Sequence, residues 1–166
     1  MNKGTLNDVY VGIGSNVDAK RNIRLVLEEM RAAFGEIELS PVYQSAAVGF
    51  VGDDFLNLVA KFETILGVVE VVNQLRTIED TLGRDRAQPR FSKRPIDLDI
   101  LLYNDLQMNK SGIQIPRDEI LESPFVLKPL FDIAPDLLHP LENQSYRDLW
   151  QAMAPTAPRL DLVQID

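Results

Sequence analysis

Two aspartates separated by one leucine, Asp97 and Asp99, lie inside an apolar run that predicts a β-strand. Because side chains alternate along a strand, both carboxylates project from one face, roughly 7 Å apart at Cα by strand rise. The opposite face receives Ile96, Leu98, Ile100 and Leu102. Neighbouring carboxylates repel each other and resist loss of water unless a cation lies between them. The pair therefore indicates a site for a hard cation such as Mg²⁺, and the alternative is the solvated face of an edge strand.

A dense basic segment, 84–94, precedes the two acids. Its positive side chains are Arg84, Arg86, Arg90, Lys93 and Arg94, against the single acid Asp85. Arginine suits bidentate contact with phosphate and stabilises negative charge as it develops. Such runs are usually charged, mobile loops, and mobility also suits a loop that closes over a nucleotide and excludes water. Acids that hold Mg²⁺ beside a cluster of arginines fit a polyphosphate substrate.

The composition bounds the class of protein. The chain has 166 residues, which is enough for one domain over 1–166, with a net charge of −8 and no cysteine. The 84–94 segment has a net charge of +4, so the rest of the chain has a net charge of −12. This asymmetry argues against a general nucleic-acid binder and favours one local site for an anionic small molecule. Disulfides and thiolate metal sites are excluded. Neither a signal peptide nor a membrane span is recognisable, so we expect a cytoplasmic protein.

Hydrophobic periodicity predicts a β-α-β-β-α-β order, which is the ferredoxin-like α+β pattern. The other predicted strands are 9–14, 37–44 and 55–63. The two predicted helices end at Gly35 and Gly83, and 46–54 reads as a glycine-containing loop. The proline-rich remainder predicts a C-terminal helical extension, with helices over 126–134 and 146–154 and an edge strand over 160–163.

Two further groups of residues have more than one interpretation. Gly12 and Gly14 end the first predicted strand, but a dinucleotide-binding loop would need a third glycine at Val17, so the pair indicates a tight strand-to-helix turn. Phe55 and Phe125 fit core positions on composition alone. Phe55 also shares a strand face with Asn57, and a ring beside an amide can stack on and hydrogen-bond a flat heterocycle.

Five segments of the chain carry a resemblance to one family. They are Val11-Gly12-Ile13-Gly14-Ser15-Asn16, Asp54-Phe55-Leu56-Asn57, Ile78-Glu79 with Gly83-Arg84-Asp85-Arg86, Arg94-Pro95-Ile96-Asp97-Leu98-Asp99-Ile100-Leu101, and the stretch from Phe125 to Pro135. In content and order they resemble the 6-hydroxymethyl-7,8-dihydropterin pyrophosphokinase family of folate biosynthesis. The Arg-x-x-Asp-x-Asp segment is the most specific of them.

The resemblance implies a ferredoxin-like fold with mobile loops over the site. It also implies a reaction in which the pterin hydroxymethyl oxygen attacks the β-phosphorus of ATP, so that pyrophosphate passes to the pterin and AMP leaves. Asp97 and Asp99 resemble the ligands of two Mg²⁺ ions. Arg84 and Arg94 resemble the arginines that stabilise charge on the transferring group.

The resemblance also implies roles for residues on each substrate's side. The pterin would lie between Phe55 and Phe125, with its edge read by Asn57 and by backbone around Ser45 and Val48. The ATP side would be lined by Glu79, Arg86, Phe91 and Ile100. The implied partners are these two small molecules, with no nucleic acid and no membrane, and the implied state is a monomer.

The sequence departs from the family pattern on the nucleotide side. Ser92-Lys93-Arg94 stands where the family usually has Gly-Pro-Arg, and Phe91 where a Trp is common. Arg117 follows Ile115-Pro116 where the family commonly has a His, and Ser123-Pro124 stands before Phe125 where an Arg is common. Lys93 and Arg117 are candidates to replace the lost positive charge.

Two alternative functions stay open at this point. One is a divergent paralogue with another pterin or nucleotide preference. The other is a non-catalytic ferredoxin-like module that binds a ligand or RNA. The net charge of −8 and the lack of an RNP-like aromatic motif count against RNA binding.

Overall fold

The computed structural model describes residues 5–45, 55–83 and 96–165. Its strands are β1 (Asn7–Ser15), β2 (Glu38–Leu39), β3 (Val42–Ser45), β4 (Phe55–Thr64), β5 (Asp97–Tyr103), β6 (Met108–Lys110), β7 (Ile113–Ile115) and β8 (Asp161–Val163). Its α-helices are α1 (Ala19–Phe34), α2 (Val68–Thr81), α3 (Glu119–Glu122), α4 (Pro124–Ile133) and α5 (Tyr146–Met153). The loops predicted over 46–54 and 84–94 lie outside the described residues.

Six strands form an antiparallel sheet in the order β5-β1-β4-β3-β8, with β2 also paired to β4. If β2 and β3 count as one broken strand, β1, β2/β3, β4 and β5 are the four strands of a β-α-β-β-α-β unit. The last of these, β5, lies beside the first, β1, as in the ferredoxin-like arrangement. The predicted fold class is therefore confirmed. The edge strand predicted near the C-terminus also forms, as β8 beside β3.

Helices α1 and α2 pack on one face of this sheet. Their apolar side chains repeat at helical spacing, and the buried ones are Ile23, Val26, Leu27, Met30, Val71, Val72, Leu75 and Ile78. Both helices end where the sequence predicts. Gly35 and Gly83 follow them with φ of 84° and 92°, in a region that residues with a Cβ atom rarely enter.

The C-terminal helices cover part of the opposite face. Side chains from α3, α4 and α5 bury against that face together, namely Ile120, Leu127, Leu130 and Tyr146. Their partners on the sheet are Tyr10, Val59, Leu101 and Leu102. The predicted helical extension is thus confirmed, and the uncovered part of the face is left open as a cavity. Among the helices described, none combines the length and apolar character needed to cross a bilayer.

Two details of the predicted strands are wrong. The strand predicted over 37–44 is broken between β2 and β3, where Pro41 has no N–H for a ladder and Ser40 binds β4 instead, accepting from Val59 N at 2.8 Å. The register between β1 and β5 also shifts at Tyr10, as in a β-bulge. Leu102 therefore packs in the cluster under the C-terminal helices and not beside Leu98.

Candidate active site

The open face of the sheet carries the two aspartates and the candidate pterin-reading amide in register. Gly14 on β1 is the cross-strand partner of both Asp97 on β5 and Asn57 on β4. Two residues along each strand, Gly12 is the partner of Asp99. The two glycines therefore lie inside β1, which corrects the expectation of a strand-to-helix turn. Because glycine has no Cβ, these positions keep the floor between the acids and the amide open.

A cavity of about 710 Å³ lies on this floor, within the ~300–1,000 Å³ range of small-molecule sites. The strands β1, β4 and β5 contribute its base, while α4 and the segment entering β8 contribute walls. The predicted site residues that line it are Ser45, Phe55, Asn57, Asp97, Asp99 and Phe125. Side chains from distant parts of the sequence are thereby brought to one cavity.

The geometry on the candidate pterin side orients an amide and holds the backbone that carries an aromatic ring. Asn57 Nδ2 donates to Ser45 Oγ at 2.9 Å, which fixes the rotation of the amide. A Cβ atom at Gly14 would lie 3.4 Å from Asn57 Oδ1, so the carbonyl end of the amide lies over the glycine. Phe125 enters from the first turn of α4, where its N–H donates to Ser123 Oγ at 3.2 Å. The ring and the amide are therefore held by separate elements.

The charge balance at the acidic pair favours a cation. Burial raises the pKa of Asp99 to about 6, Arg117 opposes the rise, and the carboxylates of Asp97, Glu119 and Glu79 add to it. Added positive charge beside Asp99 would therefore stabilise its ionised form. Arg117 Nη2 lies 3.6 Å from Asp99 Oδ1 and supplies part of that charge.

The donor set at the pair fits Mg²⁺. Magnesium usually takes one or two carboxylates and completes its octahedron with phosphate oxygens and water. Over the described ranges, no group of three or more acidic or histidine side chains is arranged to hold a metal. Asp97 and Asp99 would fit an ion that completes its shell with phosphate oxygens and water.

A second, smaller cavity of about 160 Å³ adjoins the first. The two cavities share Asp99 and Arg117 in their linings. The smaller one lies between α2, β5 and the turn of the β6–β7 hairpin, and its lining includes Val72, Leu75, Glu79, Ile100, Gly112 and Gln114. Glu79 and Ile100, which the resemblance placed on the ATP side, thus lie together, apart from the candidate pterin residues.

Glu79 holds the strand that carries the acids. It is buried, with 4% of its surface exposed, and its Oε2 accepts from Leu98 N at 2.8 Å. Leu98 lies between the two aspartates on β5, which is the end strand of the described sheet. The Glu79 carboxylate therefore satisfies a backbone N–H that faces away from β1 and fixes the backbone between the two candidate metal ligands.

Replacing Glu79 should separate this structural role from its charge. Glu79→Leu leaves the Leu98 N–H without its acceptor and should lower the free energy of unfolding by about 1–3 kcal/mol. Glu79→Gln keeps an acceptor oxygen and should cost less than about 1 kcal/mol. Urea unfolding measures both. The matched control is Glu70→Leu on the same helix, since Glu70 also accepts from a backbone N–H, that of Gly67 at 3.1 Å, but at an exposed position. Equal losses for both leucine variants would contradict the assignment.

The site residues predicted from the sequence and those that the structure describes are not the same set. Five that the sequence predicted lie outside the described residues, namely Val48, Arg84, Arg86, Phe91 and Arg94. Conversely, Glu119 has no role in the sequence analysis, yet it accepts a hydrogen bond from Arg117 at the junction of the cavities, with Nε to Oε1 at 2.8 Å. Charged residues two apart after a proline carry no motif, so no sequence signal pointed to this pair.

The fold and site together define a ferredoxin-like α+β protein with two adjoining cavities that share Asp99 and Arg117. Residues 10–135 match the family described as 7,8-dihydro-6-hydroxymethylpterin-pyrophosphokinase (HPPK). The chain belongs to this family, and the predicted resemblance is confirmed.

Individual relatives agree with the family match. The chain is 34% identical to the 2-amino-4-hydroxy-6-hydroxymethyldihydropteridine pyrophosphokinase of Aquifex aeolicus over 142 residues, covering 84% of this chain and 88% of that protein. It is 31% identical to the protein of the same name from Synechocystis sp., covering 92% of this chain and 82% of the other.

Solved structures agree in fold. A triple mutant of Plasmodium falciparum HPPK-DHPS with SDX-DHP superposes with a TM-score of 0.73 at 14% identity. The match covers 93% of this chain but only 45% of the longer P. falciparum chain. At this identity, the likeness establishes the fold alone.

Proposed function

We propose that this chain transfers pyrophosphate from ATP to the hydroxymethyl group of 6-hydroxymethyl-7,8-dihydropterin and releases AMP, as a step of folate biosynthesis. The observation that carries the proposal is that Asp99 and Arg117 line both cavities. A triphosphate whose nucleoside occupies the smaller cavity can therefore reach a pterin in the larger one at the acidic pair. Membership of the family supports the same reaction, and it favours an enzyme over an RNA-binding module.

The pterin would occupy the larger cavity. Phe55 and Phe125 would stack on its two faces, and Asn57, held by Ser45, would hydrogen-bond its edge. The resemblance adds backbone near Val48 to this side. Stacking and edge recognition together would hold the ring so that its hydroxymethyl oxygen lies near the acidic pair, in position for attack.

The nucleotide would extend from the smaller cavity. Glu79 and Ile100 line that cavity, and the resemblance adds Arg86 and Phe91. Asp97 and Asp99 would hold two Mg²⁺ ions, which neutralise phosphate charge when bound. The resemblance assigns Arg84 and Arg94 to the charge that develops on the transferring group.

The chemical step needs no nucleophile from the protein, because the pterin already carries an alcohol. The hydroxymethyl oxygen forms a bond to the β-phosphorus of ATP, and the bond from the β-phosphorus to the oxygen that bridges to the α-phosphorus breaks. AMP leaves with that oxygen, and the hydroxyl proton passes to solvent. The protein contributes position, exclusion of water and electrostatic stabilisation, which together supply most of the catalysis in phosphoryl transfer.

A product assay tests the proposal. Incubation with the dihydropterin, ATP and MgCl₂ should yield AMP and pterin pyrophosphate in equal amounts, both quantified by anion-exchange chromatography. The matched control is a dihydropterin with a 6-methyl group, which has no hydroxyl to attack and should give no AMP above the background of ATP hydrolysis. ADP in place of AMP would indicate transfer of a single phosphoryl group and would overturn the proposal.

A second candidate is a paralogue with another nucleotide preference. It is favoured by Arg117, which lines both cavities and stands where the family commonly has a His. The same assay with GTP in place of ATP distinguishes the two. Faster turnover with GTP supports the paralogue, and faster turnover with ATP supports the main proposal.

We also propose that residues 1–166 form one catalytic domain that works as a cytoplasmic monomer, with small molecules as its partners and neither nucleic acid nor membrane. The main sheet supports a single domain, since it joins β1 near the start of the chain to β8 near its end. The net charge of −8 supports the absence of nucleic acid. Dependence on ATP supports a cytoplasmic location.

A further inference from the structure

Arg117 stands at the junction of the two cavities and is held from three sides. Its Nε donates to Glu119 Oε1 at 2.8 Å, its Nη2 lies 3.6 Å from Asp99 Oδ1, and its backbone N donates to Leu101 O at 3.1 Å. About a third of its side chain is exposed. The guanidinium is therefore anchored through Nε, while Nη2 faces Asp99.

A guanidinium and a metal ion compete for the same carboxylate. Arginine stays protonated at any pH at which the protein is folded, so it repels a cation that approaches Asp99. A guanidinium also has five N–H donors in a planar fork, so it can keep one partner through Nε while its Nη groups change partner. Phosphate oxygens are the natural second partner, because they accept bidentate, charge-assisted hydrogen bonds.

We propose that Arg117 is the counter-ion of Asp99 in the metal-free enzyme, and that it exchanges this carboxylate for a nucleotide phosphate oxygen when the metal and nucleotide bind together. The inference rests on the proposed function for the identity of the metal and the nucleotide. Among the described residues, Arg117 is the one cationic side chain that lines both cavities. The inference therefore assigns it a positioning and specificity role. Glu119 keeps the side chain in place through the exchange.

The exchange couples the two ligands. Metal alone has to displace Arg117 from Asp99 without offering it a new partner, so it binds weakly. Metal together with nucleotide displaces the guanidinium and supplies phosphate oxygens to receive it, so each ligand raises the affinity of the other.

The first test measures metal binding without nucleotide. Mn²⁺ is the probe, and the free ion is counted by electron paramagnetic resonance. Arg117→Gln should bind Mn²⁺ about two- to fivefold more tightly than the wild type, the range expected for a partly exposed ion pair. Arg117→Lys keeps the charge and should stay near the wild type. Arg147→Gln is the matched control, because Arg147 forms an ion pair with Asp136 at 3.0 Å and lines neither cavity.

The second test separates partner exchange from a general loss of positive charge. Binding of a non-hydrolysable ATP analogue is measured by calorimetry, once with Mg²⁺ and once in EDTA. With Mg²⁺, Arg117→Gln should weaken binding about tenfold, since it removes a charge-assisted contact to phosphate. In EDTA, Arg117 remains on Asp99, so the same substitution should change the affinity by less than about twofold.

The outcomes are distinct. Equal losses with Mg²⁺ and in EDTA, or unchanged Mn²⁺ affinity in Arg117→Gln, would overturn the role of Arg117 and leave the proposed reaction standing. If Asp97→Asn and the wild type bind Mn²⁺ equally, the metal site itself is wrong, and the proposed function fails on separate grounds. Tighter Mn²⁺ binding together with the loss confined to Mg²⁺ supports the exchange.

Discussion

Asp97→Asn should reduce kcat for pyrophosphate transfer by about 10³-fold or more, because in the proposed site it removes a charged ligand from the ions that would hold the triphosphate. Asparagine has nearly the same shape as aspartate, so the strand and its pairing with Gly14 should persist. A neutral amide is a weaker ligand for Mg²⁺ than a carboxylate, so the proposed ions and the phosphate charge that they would neutralise should be held less firmly. Asp97→Ala should lose activity at least as completely.

The measurement is steady-state formation of AMP as a function of Mg²⁺ concentration. The affected variants should need more Mg²⁺ to reach their residual rate, while their urea unfolding stays near that of the wild type. Asp105→Asn is the matched control, since it removes one negative charge from an exposed position just after the same strand and should keep normal turnover. Near-normal activity of Asp97→Asn in Mg²⁺ would refute the assignment of Asp97 as a metal ligand.

The parts of the fold that sequence reasoning reached depend on periodicity and on glycine. The stripes of α1 and α2 repeat at helical spacing, and both helices end at glycines with positive φ. The alternation that places Asp97 and Asp99 on one face needs only the two-residue period of a strand. These signals are local in sequence, so they survive without knowledge of the tertiary contacts.

The parts that sequence reasoning missed depend on contacts between distant segments. Whether Gly12 and Gly14 form a turn or the floor of a cavity depends on which residues β4 and β5 place beside them. The bulge that redirects Leu102 depends on register with Tyr10. The contact between Arg117 and Asp99 needs the segment after β7 to dock along β5. Neither the bulge nor the contact of Arg117 follows from spacing along the chain.

The period of two could nevertheless have identified the glycines. Gly12 and Gly14 alternate inside an apolar run, as Asp97 and Asp99 do, and such alternation places each pair on a single strand face. Glycine in a strand interior often marks close approach of a ligand. Comparison with a dinucleotide-binding loop predicts that the glycines lie at the end of the strand. The strand register instead places both glycines beside the acids.

The second large effect concerns the rings on the pterin side. Phe125→Ala should weaken binding of the dihydropterin by about 10- to 100-fold, because stacking of an aromatic side chain on a base is worth ~1–3 kcal/mol. Phe125→Tyr keeps the ring and should bind within about threefold of the wild type. Affinity for the non-hydrolysable ATP analogue alone should not change, since Phe125 lines only the larger of the two cavities. Calorimetric titration of pterin into enzyme saturated with Mg²⁺ and the analogue measures the effect.

A double-mutant cycle determines whether the two rings act on the same ligand. If Phe55 and Phe125 stack on opposite faces of one pterin, the second substitution meets a ligand that is already poorly held. The loss for Phe55→Ala with Phe125→Ala should then fall short of the sum of the separate losses by at least about 0.5 kcal/mol. Additive losses would mean that the rings do not share a ligand, and unchanged pterin affinity in both single variants would mean that the pterin binds elsewhere.

Phe125 is only partly buried at the start of α4, and its backbone N–H is held by Ser123 whatever its side chain. The helix should therefore form in every variant, and the measured losses should report on the ligand rather than on folding.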